Sequence, residues 1–495
     1  MKLRGTQGSR TLGKAALALP AAALLLSGCT VGPNYHRPTA PAAPAFKESA
    51  VPVPPPNPPN GGWKQVTPND SAIRPNWWEM YQDPQLNKLE EQVAVSNQTL
   101  KASYEQYMQA RAAIQFYRSQ YFPTLSVGPA ASRDRVSANR PLHVAGTQTT
   151  YNDLVLQGQA TWEPDLWGSI RRSVESQRAT TQATAADLAN VDLSLRSELA
   201  MDYFELRGLD TQQQLLDNTV KQYQDYLALT QTRFQGGVAT DSDVALAQTQ
   251  LDQTRAQAID VGVARAQYEH AIATLTGAPA SSFGLPPAPL DLQLPQVPLG
   301  VPSQLLERRP DVAAAERRTD AANAQIGIAI AAYYPTITLN GGGGFESQSL
   351  GTWIQGPSSL WSLGGSAVEL LFDAGRRHAL TEEARDTYEQ NVANYRQTVL
   401  QAFQEVEDNL SSLRILNSES LAQQRAVDSA QRSLSISTYR YKGGVTTYLE
   451  VITAQTTQLA NERTAADITT RQFAASVQLI KALGGGWDTA KLPTP

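Results

Sequence analysis

The strongest hydrophobic pattern along the chain belongs to a very long helix in the C-terminal half. The segment between Gly375 and Gly443 contains neither glycine nor proline and is rich in Ala, Gln, Glu, Arg and Leu, which favour helix. A helix over its roughly 65 residues would measure about 100 Å. Apolar residues follow one another at steps of 4, 3, 4 and 3 at Val399, Phe403, Val406, Leu410 and Leu413. This heptad spacing predicts helices packed side by side, in an elongated stalk or a helical barrel.

A second pattern, with a period of two, predicts strands. Between Tyr151 and Glu163 the odd positions are mainly polar, whereas Leu154, Leu156 and Trp162 are among the even ones. Weaker versions give strands at about 124–133, 336–345 and 360–372 in addition to 151–163. Their length suits strands that span a membrane, but the smallest closed membrane barrel needs about eight strands. If these four strands cross a membrane, several copies must share one barrel. A small soluble β-domain on a coiled-coil stalk fits the pattern as well.

The sequence is internally duplicated. Gly236-Gly237 and the Val-Ala-Thr that follows return as Gly443-Gly444 and Val-Thr-Thr, and each pair is preceded by arginine and an aromatic residue. A Tyr-aromatic-Pro-Thr motif at 121–124 likewise returns at 333–336. One unit of about 210 residues has therefore been copied, as helix, strand pair, long helix, Gly-Gly turn and helix. We assign the first repeat to 63–295, the second to 296–487 and a tail to 488–495. The returning helices are expected to start near Asp241 and Thr447, where short polar side chains can cap them.

The N-terminal region is predicted to be a targeting signal followed by a tether. Residues 1–28 combine a basic start with an apolar run of about 12 residues, which is typical of a signal peptide. Leu26-Ser27-Gly28 precedes Cys29 and is similar to a bacterial lipobox, so we expect Cys29 to carry N-acyl and S-diacylglycerol lipid. Thr30, where an aspartate would favour retention in the inner membrane, indicates the outer membrane. Residues 29–62 are proline-rich and are expected to form an unpacked tether.

Composition excludes several classes of protein. The net charge is −5, which argues against a nucleic-acid partner. The single cysteine rules out an internal disulfide framework and a cysteine-rich zinc site. Neither a metalloprotease, a serine-hydrolase nor a phosphate-loop motif is present, so we expect no enzyme, no metal and no cofactor besides the covalent lipid.

Five motifs in the same order resemble those of one family. They are Cys29 to Pro38, Trp77 to Leu86, Asp165 to Gly168, Leu305 to Glu316 and Arg440 to Gln455. The chain resembles the NodT/OprM type of the TolC-like outer-membrane factors over nearly all of 29–485. The resemblance implies a mainly α-helical fold with a transmembrane β part, in which a homotrimer closes a twelve-stranded β-barrel above a long α-helical barrel. It also implies a passive exit duct for small molecules or drugs. Its partners would be a periplasmic adaptor, an inner-membrane RND-type transporter and outer-membrane lipid.

The resemblance also places functional residues at the two Gly-Gly turns, which would form the periplasmic tip. The implied adaptor contacts are Gly236, Gly237, Thr240, Gly443, Gly444 and Thr447. The implied periplasmic gate comprises Leu449, Glu450, Thr453, Asp241, Asp243 and Tyr441. Leu449 stands where relatives have an apolar ring, whereas Thr453 replaces an acidic residue that some relatives carry. The acids at 241, 243 and 450 would supply that charge, or they only stabilise helix starts through the helix dipole.

Other functions stay open at this point. A structural coiled-coil lipoprotein without a pore would share the helices and the anchor. An exit duct for protein secretion would share the whole architecture.

Overall fold

The computed structural model describes residues 30–41, 45–48, 75–139, 141, 146, 148–297 and 305–493. The predicted signal peptide and Cys29 lie outside these residues. The main elements, in chain order, are α1 (Pro84–Ser96), α2 (Gln98–Ser119), β1 (Thr124–Arg135), β2 (Thr150–Trp162), α3 (Ser169–Gln235), α4 (Asp241–Leu275), α5 (Pro310–Ala331), β3 (Thr336–Ser347), β4 (Ser359–Val368), α6 (Arg376–Lys442) and α7 (Tyr448–Ala482). Single helical turns occur at Trp77–Tyr81, Ala280–Ser282, Leu305–Arg308, Leu350–Thr352, Gly356–Ser358 and Thr489–Lys491.

The main helices of the two halves occur in the same order and have the same lengths. Helices α3 and α6 have 67 residues each, α4 and α7 have 35 each, and α2 and α5 have 22 each. The predicted order of elements and the helix of about 100 Å are therefore confirmed. Near the sheet the helices lie side by side in the order α2, α3, α5, α6, and farther away α3 packs on α4 and α7 while α6 packs on α7.

The four strands form one antiparallel sheet in sequence order, with β1 and β4 at its edges. The register pairs Leu125 with Ala160, Leu156 with Phe345 and Gly341 with Leu363, and paired residues point to the same face. One face therefore carries Leu125, Val127, Leu154, Leu156, Trp162, Leu339, Phe345, Trp361 and Leu363. The other face is mostly polar and includes Ser126, Gln157, Gln159, Thr161, Asn340, Ser362 and Ser366. This sorting is what a membrane barrel with an aqueous interior requires.

The prediction of a strand over 360–372 was wrong at its end, because β4 stops at Val368. Arg377 of α6 reaches back and donates hydrogen bonds to the Glu369 carboxylate and to the Leu370 carbonyl. Asp373 accepts from the Arg377 backbone N–H at 3.1 Å and forms an ion pair with the same guanidinium at 2.7 Å. These bonds turn the chain from the sheet into the helix, and one of them engages the Leu370 carbonyl, which a longer strand would pair.

The largest apolar core lies midway along the helices, where the short elements of the first half pack on α3 and α7. Trp77, Tyr81, Phe204 and Phe473 are fully buried, and Tyr81 is in ring contact with each of the other three. The Tyr81 hydroxyl lies 2.9 Å from the hydroxyl of Ser476, so this buried polar group has a partner. The heptad positions on α6 belong to the same network of apolar contacts, with Val399 and Val406 fully buried.

The expectation of an unpacked tether was wrong for the residues described here. Residues 30–41 and 45–48, which we call the strap, lie along α3, α5 and α6. The Arg172 guanidinium donates to the carbonyls of Val31 and Gly32, and the Tyr35 hydroxyl donates to Glu316 at 2.6 Å. Farther along, the Glu407 carboxylate accepts the backbone N–H groups of residues 47 and 48. The prolines remove N–H donors, and helix side chains bond to several of the remaining polar groups of the strap.

Candidate functional site: the two-hairpin tip

Both Gly-Gly turns adopt the same helix-ending geometry. After α3 the Val238 N–H donates to the Arg233 carbonyl at 2.8 Å, and the Gly237 N–H donates to the Phe234 carbonyl at 2.9 Å. After α6 the equivalent distances are 2.9 Å and 3.0 Å, from Val445 and Gly444. This pair of bonds is the Schellman motif, which requires a left-handed residue just past the helix. Gly237 and Gly444 supply it, each with φ of 72°.

The first glycine of each pair is not required by the turn. Gly236 and Gly443 have φ of −78° and −77°, which any residue adopts. A Cβ atom on Gly236 would come no closer than 3.5 Å to its neighbours, and one on Gly443 no closer than 3.4 Å. The requirement of the turn for a left-handed residue therefore accounts for the second glycine of each pair. At Gly236 and Gly443 the missing side chain leaves backbone open to a close approach from outside.

The two returning helices are capped differently. Thr240 is the N-cap of α4 and forms a capping box with Asp243, which accepts from the Thr240 N–H at 2.9 Å. The carboxylate of Asp243 is thereby engaged at the helix start, as the alternative reading of the acidic residues expects. Thr447 occupies the N-cap of α7, but its side chain makes no capping hydrogen bond. Asp241 is exposed in the first turn of α4.

Tyr441 lies inside the tip, where it packs between the first hairpin, formed by α3 and α4, and the second hairpin, formed by α6 and α7. It is buried, its ring contacts that of Tyr448 at 5.3 Å, and its hydroxyl lies 3.4 Å from Thr230 of the first hairpin. The Arg233 guanidinium stacks over the same ring at 4.6 Å and donates to the Lys442 carbonyl at 3.2 Å. Within one chain, Tyr441 therefore acts as packing between the hairpins.

The remaining gate residues lie on the first turns of α7. Leu449 is 58% exposed, although it is a large apolar side chain next to a packed tip. Thr453 is exposed, and its hydroxyl donates to the Leu449 carbonyl at 2.9 Å. Because this residue is a threonine, the position carries no acidic side chain. Glu450 pairs with Arg440 of α6 at 3.5 Å, and both side chains are about half exposed. The geometry brings an apolar side chain and a charged pair to one end of the molecule.

A further group of carboxylates lies on α3, away from the tip. Burial, and then the neighbouring carboxylates Glu198 and Glu205, raise the pKa of Asp202 to about 6. Burial and Asp467 of α7 also raise the pKa of Glu205. In the described part of the chain, no group of three or more His, Cys, Asp or Glu residues has the arrangement of a metal site. None of the described helices is long and apolar enough to cross a membrane.

Acid–arginine pairs at the sheet ends of the long helices have a role that was not predicted from the sequence. Asp165 accepts the backbone N–H groups of residues 170 and 171 and forms an ion pair with Arg171 at 3.0 Å. Asp373 and Arg377 do the same at the equivalent place in the second half. The signal was an aspartate shortly before an arginine pair, repeated in both halves. These pairs anchor each long helix where it leaves the sheet.

A family model matches the chain twice, over residues 89–278 and 301–485, and its description is "Outer membrane efflux protein". The two matches together cover well over half of the 495 residues, and one falls on each half of the duplication. The chain belongs to the outer membrane efflux protein family. The resemblance stated from the sequence is confirmed, and with it the mainly helical fold with four strands.

Curated members of the outer membrane efflux protein family match over nearly the whole length. A probable efflux pump outer membrane protein of Pseudomonas putida, TtgC, is 29% identical over 480 residues, 96% of each chain. The cation efflux system protein CusC of Escherichia coli is 30% identical over 471 residues, 94% of this chain and 97% of its own. Among solved structures, the outer-membrane channel OprN is similar with a TM-score of 0.83 and 28% identity, over 93% of this chain and 100% of that chain. A solved structure of CusC is similar with a TM-score of 0.80 and 27% identity, over 92% of this chain and 100% of that chain.

Proposed function

We propose that three copies of this chain form the exit duct of a tripartite efflux pump in the outer membrane. The observation that carries the proposal is the sheet of four strands, apolar on one face and polar on the other, with both edges unpaired among the residues that the structure describes. An open edge in lipid leaves backbone groups without partners, so the sheet has to be completed by other copies. Three copies give twelve strands, as the family resemblance implies.

The helical part then forms a tunnel that extends into the periplasm and is narrowed at the two-hairpin tip. Leu449 would contribute the apolar ring, and its exposure in the single chain supports a position that faces the pore. The pair of Glu450 and Arg440 lies beside it, so the charge at the constriction differs from that of an unpaired acidic ring. Cargo would pass through without any chemical change, because the duct is a conduit and not an enzyme.

The partners are a periplasmic adaptor, which we propose docks at Gly236 and Gly443, and an inner-membrane RND-type transporter that supplies the energy. Thr240 and Thr447 lie beside these contacts. The anchor is a lipid on Cys29, one residue before the strap. The strap is bonded to the segment that leads into α3, because the Val31 N–H donates to the Trp167 carbonyl. The lipid would therefore enter the membrane close to the base of the sheet. Curated relatives are named for toluene, pyoverdine and cations, which supports a duct that does not itself choose the cargo.

Recording of single-channel currents in planar bilayers tests the proposed channel and its gate. We expect the unaltered protein to give small, rare openings and Leu449→Ala to increase the conductance, because the apolar constriction widens. Val238→Ala, an exposed apolar residue in the first tip turn, is the matched control and should leave the currents unchanged. Absence of currents from both the unaltered protein and Leu449→Ala would favour a structural lipoprotein without a pore.

A further inference from the structure

A cavity of about 940 Å³ lies just below β1, where α3 packs on both α2 and α5. Its wall is formed by the end of α2 and the residues after it, by the first turns of α3, and by the middle of α5. Positive side chains predominate, with four arginines against two carboxylates. These charged residues, which define what we call the arginine cavity, are Arg118, Arg171, Arg178, Arg317, Glu175 and Asp320.

Both carboxylates of the arginine cavity are paired with arginines. Glu175 accepts a hydrogen bond from Arg172 of α3 at 2.8 Å. Asp320 lies 3.8 Å from the guanidinium of Arg317 on the same helix. The excess of positive charge therefore falls on the other arginines of the wall.

This excess charge is concentrated around Tyr121, which also lines the cavity. Burial, followed by the charge of Asp165, raises the pKa of the Tyr121 hydroxyl. Three arginines lie near enough to oppose that rise, namely Arg171, Arg178 and Arg118. Arg171 is paired with Asp165 at 3.0 Å, but among the described residues Arg118 and Arg178 have no ion pair. Arg178 is moreover half-buried, where a positive charge without a counter-ion has lost part of its hydration.

A second cavity, of about 350 Å³, adjoins the first and adds a third arginine. Its wall includes Arg118 and Arg178 again, together with Arg111. Arg111 precedes Arg118 by two helical turns, so both side chains lie on one face of α2. Arg111 is exposed and, like the other two, has no ion pair within the part of the chain that the structure describes. Three guanidinium groups around one space suit the oxygens of a phosphate group.

The side of the cavity next to the sheet is apolar. Phe122 lines the cavity and is 70% exposed, and Leu125 and Val127 on the apolar face of β1 are 79% and 74% exposed. Trp162, on the same face of β2, donates from Nε1 to the Tyr121 carbonyl at 3.0 Å. The arginine cavity is therefore continuous with the end of the apolar face. An anionic head with hydrocarbon chains matches this sequence of surfaces.

The strap lies on the same side of the helices as the cavity. Arg172 donates to the strap carbonyls of Val31 and Gly32 and also to Glu175 in the cavity wall. In the proposed duct the strap follows the lipid anchor by one residue. This side of the helices is thus the one next to the periplasmic leaflet of the membrane, and not the one that lines the tunnel.

We propose that the arginine cavity binds the phosphate of an anionic phospholipid from the periplasmic leaflet. Arg118 and Arg178 hold the phosphate, and the acyl chains run along Phe122 and Leu125 toward the middle of the bilayer. Basic pockets next to a membrane-spanning part bind phosphate head groups in this way. The inference rests on the proposed duct, because it requires the apolar face of the sheet to be in lipid.

Lipid titration of the purified protein in mild detergent, read by native mass spectrometry, tests the site. The probes are phosphatidylglycerol and phosphatidylcholine with identical acyl chains, which differ in net charge. We expect the unaltered protein to bind phosphatidylglycerol about tenfold more tightly than phosphatidylcholine. The double variant Arg118→Gln with Arg178→Gln should lose this preference.

The matched control is Arg425→Gln with Arg432→Gln, which removes the same charge far from the cavity. Both arginines are exposed, and Arg425 is roughly 70 Å along α6 from its start near the sheet. This control should keep the preference for phosphatidylglycerol. The variant Arg118→Lys with Arg178→Lys retains the positive charge and should keep most of the preference, which a merely structural role of the two arginines does not predict.

Glycerol 3-phosphate carries the phosphate without acyl chains and should compete with phosphatidylglycerol only at about a hundredfold higher concentration. Competition at equal concentration would overturn the lipid and indicate a site for a soluble anion. Equal binding of the two lipids, no binding of phosphatidylglycerol, or a preference that survives Arg118→Gln with Arg178→Gln would overturn the site. These results leave the proposed duct intact, whereas absence of currents from both the unaltered protein and Leu449→Ala contradicts the duct itself.

Discussion

Gly443 and Gly444 are neighbours in the sequence and have different physical roles. Gly444 has φ of 72°, where a Cβ atom is strained, whereas Gly443 has the dihedral angles of an ordinary helical residue. Sequence alone does not separate these roles, because a Gly-Gly pair predicts a turn without showing which glycine adopts the left-handed conformation. The structure therefore divides the predicted contact residues into one that forms the turn and one that leaves backbone accessible.

We expect Gly443→Leu to weaken capture of the adaptor about tenfold while the turn stays intact, because the added side chain covers the backbone at the tip. Gly444→Ala should instead cost about 1 kcal/mol of local stability, since it forces a left-handed alanine. Crosslinking to the adaptor measures the first effect, and amide hydrogen exchange at the tip measures the second. Unchanged capture by a double variant, Gly236→Leu with Gly443→Leu, would contradict the tip assignment.

Asp202 makes stability depend on pH. Burial and the carboxylates of Glu198 and Glu205 raise the pKa of Asp202 from 3.8 to about 6. Between these pH values the folded chain holds a proton that the unfolded chain has released. The free energy of unfolding therefore falls as pH rises through this window and stays lower above it. We expect Asp202→Asn to raise the free energy of unfolding by about 1 kcal/mol at neutral pH, because it removes a poorly solvated charge that solvent partly screens.

The gain from Asp202→Asn should disappear below about pH 4, where the aspartate is protonated in both states. Thermal unfolding in detergent at several pH values measures this difference. The control is Asp225→Asn, at an exposed position of the same helix. An equal gain at all pH values would show that the effect is not electrostatic.

At the scale of elements, the sequence predicted the helices and strands whose formation depends on the local pattern of residues. Proline-free runs gave α3 and α6, and the alternation between 151 and 163 gave β2 to within one residue at each end. The strap escaped prediction because its structure comes from distant side chains, such as Arg172 and Glu407, and not from any repeat in its own residues. The end of β4 escaped for the same reason, since Arg377 engages the residues that follow it.

The strap depends on one close crossing of two glycines. A Cβ atom on Gly32 would lie 2.5 Å from the Cα of Gly327 on α5, and Gly32 has φ of 91°. We expect Gly32→Ala to lift the strap from the helices and to speed tryptic cleavage after Lys47. The control is Gly351→Ala, where a Cβ atom meets nothing within 4 Å. Mass spectrometry of timed digests gives the rates, and equal rates in both variants would contradict a strap held by this crossing.

At the scale of the whole molecule, the two faces of the sheet are suited to different solvents. The register places Leu363 on the apolar face and its sequence neighbour Ser362 on the polar face. If the apolar face meets lipid, an arginine at 363 must enter hydrocarbon, which costs about 2–4 kcal/mol at the bilayer centre. An arginine at 362 meets the aqueous interior and costs little, although the two substitutions add the same charge one residue apart.

We therefore expect Leu363→Arg to reduce the yield of folded, heat-modifiable trimer in the outer membrane, and Ser362→Arg to leave the yield close to that of the unaltered protein. The yield is measured by comparing heated and unheated membranes on a denaturing gel. Equal loss in both variants would mean that any charge disrupts this strand. The reverse order would place the apolar face inside the barrel, which contradicts a water-filled duct. Because the strand, the charge and the depth are matched, the difference between the two variants reports which face of the sheet is in contact with lipid.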